Sequence, residues 1–216
     1  MKRRLEPELL DSLPPWHPDA VRSRRDLRHV NRLMGNAHWF EKVIARHARP
    51  GEHVIELGSG TGELAERLRS AAAVTVDGID RIPAPARWPG PEARWHQTDI
   101  HGFTGWHDYD VVIGNLILHH FDDASLRALG AAIRPHARLL VFSEPTRRRC
   151  NQWIWNLATP LCGANRVTRH DGRVSIAAGF LDEELPQALG LEASAWDCNV
   201  THGWLGAHRL IAVRRP

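Results

Sequence analysis

The residues of this chain with the most chemistry in their type and spacing are Glu56, the run Gly58-Ser59-Gly60-Thr61-Gly62, Asp80, Asp99 and the adjacent pair His119-His120. Glycines between a strand and a helix let the backbone take positive φ and approach a ligand closely, and the first helical amides then face a polar or anionic group. A carboxylate at the end of the next strand can accept hydrogen bonds from both hydroxyls of a ribose. Asp80 has that position, and Asp99, one strand later, can accept from an adenine amino group. Either aspartate could instead cap a helix.

Two kinds of nucleotide-containing ligand use such a turn, dinucleotides and S-adenosylmethionine. Glu56 separates them, because a carboxylate just before the first glycine suits an ammonium group and repels a pyrophosphate. The spacing agrees: G-x-G-x-G stands where a dinucleotide fingerprint has G-x-G-x-x-G, and Glu63 occupies the helix-packing position.

These residues need a scaffold, and apolar periodicity supplies one. Val54-Ile55-Glu56-Leu57 reads as a buried strand and Glu63 to Leu68 as the helix after it. Val74 to Asp80, Trp95 to Ile100, Tyr109 to Phe121 running into the active-site loop, and Arg138 to Ser143 continue as strands two to five. Asp122 to Ile133 is an amphipathic helix whose acidic start suits its positive end. Gly179 to Leu185 leads into a further helix, and Leu191 to Cys198 and Ala207 to Arg214 are expected as the last two strands. Before all of these, a Pro-rich break at 13–18 precedes a helix from about Asp19. Leu27, Val30 and Met34 mark its packing face, while Arg24, Arg28, Asn31 and Gly35 line another face.

In this order and spacing, the motifs resemble those of the class I S-adenosylmethionine-dependent methyltransferases over roughly residues 40 to 216, and the Leu118-His119-His120-Phe121 loop is similar to that of the small-molecule branch related to quinone-biosynthesis enzymes. The resemblance implies an α/β fold: a Rossmann-like, seven-stranded, mostly parallel sheet with helices on both faces and the last strand antiparallel. Residues 1–50 would form an N-terminal helical lid, and 51–216 the methyltransferase domain with a substrate-binding insertion at about 144–180. It also implies S-adenosyl-L-methionine as cofactor, S-adenosyl-L-homocysteine as product, and no metal. Glu56, Gly58, Ser59, Gly60, Thr61 and Gly62 would hold the methionine portion, Asp80 with Arg81 the ribose, Asp99 and Ile100 the adenine, and Asn115 with Leu116 the contact from the fourth strand. The turn before the fifth strand, Arg134-Pro135-His136-Ala137, departs from the family's proline-glycine-glycine.

The chemistry so implied is in-line displacement at a sulfonium methyl, where orientation can be worth about 7–11 kcal/mol. A hydroxyl or phenol acceptor would gain from a general base. His119 or His120 fits, since strand ends of this kind border the ligand crevice and histidine at its ordinary pKa of about 6.5 is mostly neutral. His170 beside Asp171 is a second candidate and Glu144 a third, though Glu144 could instead cap or pair with Arg147. With 14 histidines in the chain, a structural or surface role for the pair is the stronger alternative.

Asn115-Leu116-Ile117-Leu118 lacks the prolines of the Asn- or Asp-Pro-Pro-aromatic loop common in N-methylating relatives, and Trp153, Ile154, Trp155 and Leu157 could line an apolar pocket. The expected acceptor is therefore an oxygen, or else a carbon, of an aromatic, polyketide-like or lipid-tailed small molecule. RNA or protein methylation is the alternative, requiring one continuous basic surface from Arg22, Arg24, Arg25, Arg28 and Arg32 and from Arg147-Arg148-Arg149. A dinucleotide-dependent enzyme or a silent binding module stands behind it.

Composition is consistent with one α/β core: 216 residues, 43% hydrophobic and 25% charged. Lys+Arg of 28 against Asp+Glu of 25 is near balance, an excess too small to argue for a nucleic-acid partner, and none is expected. No apolar run reaches a membrane span and the start lacks a signal-peptide core, so a cytoplasmic location is expected. Cys150, Cys162 and Cys198 show no metal-ligand spacing. Oligomeric state is not encoded in any of these features.

Overall fold

The computed structural model describes residues 1–216 except 15, 73, 87, 89–91 and 204; Pro15 of the expected Pro-rich break thus lies outside the described residues. The chain runs α1 (Leu9–Ser12), α2 (Pro18–Met34), α3 (Asn36–His47), β1 (Val54–Leu57), α4 (Glu63–Ala72), β2 (Val76–Asp80), β3 (Trp95–Gln97), β4 (Val111–Asn115), α5 (Asp123–Ile133), β5 (Leu139–Pro145), α6 (Arg149–Leu161), α7 (Arg166–Ala178), α8 (Glu184–Ala188), β6 (Trp196–His202) and β7 (Ala207–Arg214).

The strands form one seven-stranded sheet in the order β3-β2-β1-β4-β5-β7-β6. β1 to β5 are parallel, and β7 runs antiparallel to both β5 and β6. The mostly parallel sheet with an antiparallel last strand is thus as expected. Residue alternation divides the core into two layers. Val54, Val76, Val111, Ile113, Leu139 and Val141 pack with Phe40 and Ile44 of α3 and with Leu64 and Leu68 of α4. On the opposite face Ile55, Leu57, Val112, Leu140 and Phe142 pack with Leu126 and Leu129 of α5 and Leu185 of α8. Every residue of β1 and β5 is buried, which explains the apolar Val54, Ile55 and Leu57 and the run Leu139 to Phe142, while Glu56, Ser143 and Glu144 are buried polar residues at the site end.

Five element expectations need correction. The second strand starts at Val76 rather than Val74, and the third ends at Gln97, where Asp99 caps a 3-10 turn over Ile100–Gly102. β6 spans Trp196–His202, later than Leu191 to Cys198, because the chain first turns at 192–195 before joining the exposed sheet edge. The stretch read as lacking a period, 144–180, contains two full helices, α6 and α7. α2 ends one residue before Gly35, which takes a left-handed φ of 66° and caps it, so Gly35 belongs to the turn into α3 rather than to a helix face.

Candidate active site

Strand order reverses between β1 and β4, and in open α/β sheets the crevice beyond the carboxyl ends of the strands at such a point receives the ligand. A cavity of about 630 Å³ lies there. Gly58 after β1, Asp80, Arg81 and Ile82 after β2, Thr98, Asp99 and Ile100 after β3, and Ile117, His119, His120 and Phe121 after β4 all line it. Four strand ends converge on one space because the strands are parallel and in register.

Gly58 has φ 63°, and a Cβ there would stand 2.7 Å from Ile117 Cδ1; Gly62 has φ 73°, and a Cβ there would stand 2.9 Å from the ring of Trp88. Both positions need glycine for conformation and for space. Asp80 fixes the turn: its Oδ2 accepts from Gly60 N–H at 2.9 Å and its Oδ1 from Ile82 N–H at 3.2 Å. A carboxylate has about four lone-pair sites, so half of its accepting capacity remains for a ligand hydroxyl. Asp99 combines both roles foreseen for it, since its Oδ1 accepts from His101 N–H while the residue lines the cavity.

Glu56 lies buried beneath the turn. Burial first, and the charge of Asp80 second, hold its carboxyl well above the usual carboxylate range, and Oε2 has no hydrogen-bond partner among the described residues. A buried oxygen without a partner is costly unless a ligand or water completes it, and a cationic group would restore its ionised form. Asn115, at the end of β4, is joined to the N-terminal helices: its Oδ1 accepts from Asn36 Nδ2 at 2.9 Å, and its Nδ2 donates to Asn31 Oδ1 at 3.3 Å. Leu116 follows at φ 58°, strain for a side chain of that size at the point where β4 enters the site loop.

The histidine pair is built by a buried acid. Glu144, fully buried on β5, accepts from the backbone N–H groups of Ile117, Leu118 and His119 and stands 2.7 Å from His119 Nδ1. His119 Nε2 faces Glu8 Oε1 at 3.7 Å. Burial alone would lower the pKa of His119, but its hydrogen bond to Glu144, the facing carboxylate of Glu8 and their charges outweigh that and raise it to about 9. Glu8 is held below its ordinary value: burial acts to raise it, and the facing His119, the charge of His120 and the hydrogen bond from Ser175 prevail. His120, 4.2 Å away between ring centroids, shifts the other way, lowered first by desolvation and then by the charge on His119.

Glu8 is brought here by a strap that no periodicity foretells. Arg3 donates through Nε to Ala178 O at 2.8 Å and through a terminal nitrogen to Phe121 O at 2.7 Å, and it pairs with Asp123. At the other end Asp171 accepts from the backbone N–H groups of Leu9 and Leu10 at 2.8 and 2.9 Å. Leu5, Glu6, Pro7, Glu8 and Asp11 therefore form one wall of the cavity, and Val174, Ser175 and Ala178 of α7 form another.

Several expected site residues lie elsewhere. His170 does not line the cavity; its Nδ1 rests 2.9 Å from Asp171 Oδ1, and that aspartate is occupied in anchoring α1. His119 does line the cavity, and its two carboxylate neighbours raise its pKa above the ordinary value. Glu144 leaves Arg147 to Glu184 and serves the β4 loop instead. Glu56, Ser59, Gly60, Thr61, Gly62, Asn115 and Leu116 support the cavity without lining it. Arg28 and Asn31 of α2 do not line it either.

Comparison with known proteins bears on this geometry. A family model described as a methyltransferase domain matches residues 23–195. The chain belongs to that family.

The methyltransferase is 27% identical over 150 residues to trans-aconitate 2-methyltransferase of Azoarcus sp. (strain BH72), a match covering 64% of this chain and 58% of that protein. In fold it is similar to the plantazolicin methyltransferase BpumL in complex with a triazolic desmethylPZN analog and SAH, with a TM-score of 0.73 at 10% identity over 96% of this chain and 93% of that one. Magnesium protoporphyrin IX methyltransferase from Synechocystis PCC 6803 with bound SAH gives a TM-score of 0.57 at 18% identity over 88% and 86%. The residues of this site would fit S-adenosyl-L-methionine: positive-φ glycines at 58 and 62 that leave no room for a Cβ, an aspartate with accepting capacity to spare, and an orphaned buried carboxyl oxygen suited to a cation.

Proposed function

We infer that this methyltransferase acts on a hydroxyl or phenol oxygen of a small aromatic, polyketide-like or lipid-tailed molecule, with His120 as the base. One observation carries the reading: His119 and His120 stand side by side on the cavity wall, ring centroids 4.2 Å apart, His119 buried between Glu144 and Glu8 and His120 exposed, an arrangement that raises the pKa of the first and lowers that of the second. Environments that push two like groups apart mark an acid–base division of labour.

When bound, S-adenosylmethionine supplies an electrophilic methyl group on a sulfonium. Asp80 would hold its ribose, Asp99 and Ile100 its adenine, and Glu56 beneath the glycine turn would balance its ammonium group. His120 takes the proton of the acceptor hydroxyl. His119 stays charged between Glu8 and Glu144, and this charge keeps His120 neutral and ready to accept. Residues 1–50 serve as the cap, with the 5–11 strap over the cavity and α2 bracing Asn115. A phenol, with an ordinary pKa of about 10, needs such a base at neutral pH more than an amine does.

The test is a screen with methyl-labelled donor against phenols, alkyl-substituted phenols, carboxylic acids, amines and RNA, run with the parent and His120→Ala. Label on phenolic oxygen that falls at least about a hundredfold in the variant supports the reading. Label confined to amines, carboxylates or RNA overturns it.

A further inference from the structure

α6 turns its apolar side outward. Trp153, Ile154, Leu157 and Leu161, spaced to share one helix face, are 77, 57, 71 and 81% exposed. The orientation is fixed from behind. The Trp155 ring occupies the space a side chain at Gly172 would need, its Nε1 donates to Arg169 O at 3.1 Å, and buried Thr159 bonds back to Trp155 O. The helix cannot roll to hide its outer face without removing Trp155 from that notch.

Charge is concentrated on the same side. The two segments 18–34 and 146–178 together hold eleven arginines and three aspartates, leaving the rest of this +3 chain with more acidic than basic residues. Of these, Asp171 is buried and committed to Leu9 and Leu10, and Arg147 is buried and paired with Glu184, which leaves ten arginines against two aspartates. The segments touch, since Arg22 donates to Gly163 O and Asn165 to Asp19 O. Arg148, Arg149, Arg166, Arg169 and Arg173 are exposed around the α6–α7 hairpin. A groove of about 810 Å³ lined by Lys2, Arg4, Arg149, Trp153 and Arg173 shares Glu6 and Val174 with the wall of the cofactor cavity.

We propose that the outer face of α6 with its surrounding arginines is a docking surface for an anionic lipid bilayer, and that the adjoining groove opens the active site toward that surface. Aromatic and aliphatic side chains beside cations are what an interfacial helix offers: the first enter the acyl boundary and the second meet phosphate. Among the described residues no helix is long and apolar enough to cross a membrane, so the contact is peripheral. A nucleic acid would match the charge and leave Ile154, Leu157 and Leu161 without a role.

The experiment is co-sedimentation of the whole chain with phosphatidylcholine vesicles, with and without phosphatidylglycerol, at low and high salt. The expected result is binding to the anionic vesicles about tenfold or more above the neutral ones, reduced by salt. Trp153→Ser with Leu157→Ser should abolish it, as should Arg148→Glu with Arg149→Glu. Thermal melts check that these exposed changes leave the fold intact. Equal binding to both vesicles, no binding, or binding unaffected by the substitutions overturns the proposal. So does a face that sedimentation velocity shows to be buried in a dimer, or one that prefers RNA to anionic vesicles. The assay contains no methyl donor or acceptor, so its failure leaves the oxygen-methylation reading standing, and failure of that reading leaves this one testable.

Discussion

Glu144 and His119 sit on different strands' ends, yet one carboxylate binds both the ring and the backbone of the histidine, through Nδ1 at 2.7 Å and N–H at 3.2 Å. The acid thereby fixes the position and the charge of the residue above it. Leu118 N–H at 2.8 Å and Ile117 N–H at 3.1 Å complete the set.

Glu144→Gln should therefore destabilise the enzyme by about 2–4 kcal/mol, since a neutral amide leaves a buried histidine cation poorly paired and one backbone donor short. Urea unfolding at neutral pH measures this. A change below about 0.5 kcal/mol would show that the carboxylate is not the organiser of the loop.

The pH dependence of stability follows from His119. Its folded pKa of about 9 exceeds the ordinary 6.5, so the native state holds a proton that the unfolded chain releases. The stabilisation is complete below about 6.5 and is lost as pH rises through 9, amounting to about 3 kcal/mol at most. Parent and His119→Gln should differ in unfolding free energy far more at pH 6 than at pH 9.5. A constant difference would contradict this.

Activity should carry the opposite histidine's signature. With the His120 pKa depressed, the acidic limb of kcat/KM is expected below about 6.5. Neutralising the neighbour by His119→Gln should move that limb upward, since the repelling charge is gone. A limb that stays in place would separate the two rings functionally.

Asp80→Ala should weaken S-adenosylhomocysteine binding in calorimetry by about tenfold or more, losing the ligand's acceptor together with the Gly60 and Ile82 bonds that shape the turn. Asp80→Asn keeps an acceptor oxygen and should fall between the two. Unchanged affinity in a folded Asp80→Ala protein would displace the ribose from this residue.

Chelators should leave the rate unchanged. Glu8, His119 and His120 do offer ligand atoms within 4.8 Å of one another. A metal there would have to displace a proton held at about 9, and ligands must be deprotonated to bind. Loss of activity in a chelator, restored by zinc, would reassign the three residues as a metal centre.

Much of this was readable from the chain because buried parallel strands are apolar on both faces and the glycine turn has few substitutes. β1, β4 and β5, the turn and Asp80 all follow from those constraints. The failures have causes of the same kind. α6 and α7 hid their period because one shows apolar residues to the exterior and the other buries Thr168, Asp171 and Gly172. β6 is an edge strand with alternating exposure, and its polar residues blurred its start. Glu8 carried no signal, as its partner lies far along the sequence and nothing local announces the meeting.

The strap that carries Glu8 also orders events during synthesis. Arg3 bonds to Ala178 across 175 residues, so the part of the chain made first cannot settle until nearly all the rest has emerged. Contacts so distant in sequence form late, because loop closure precedes any return from them. A nascent chain stopped after β5 would still lack Ala178, and with it the anchor that sets Glu8 against His119.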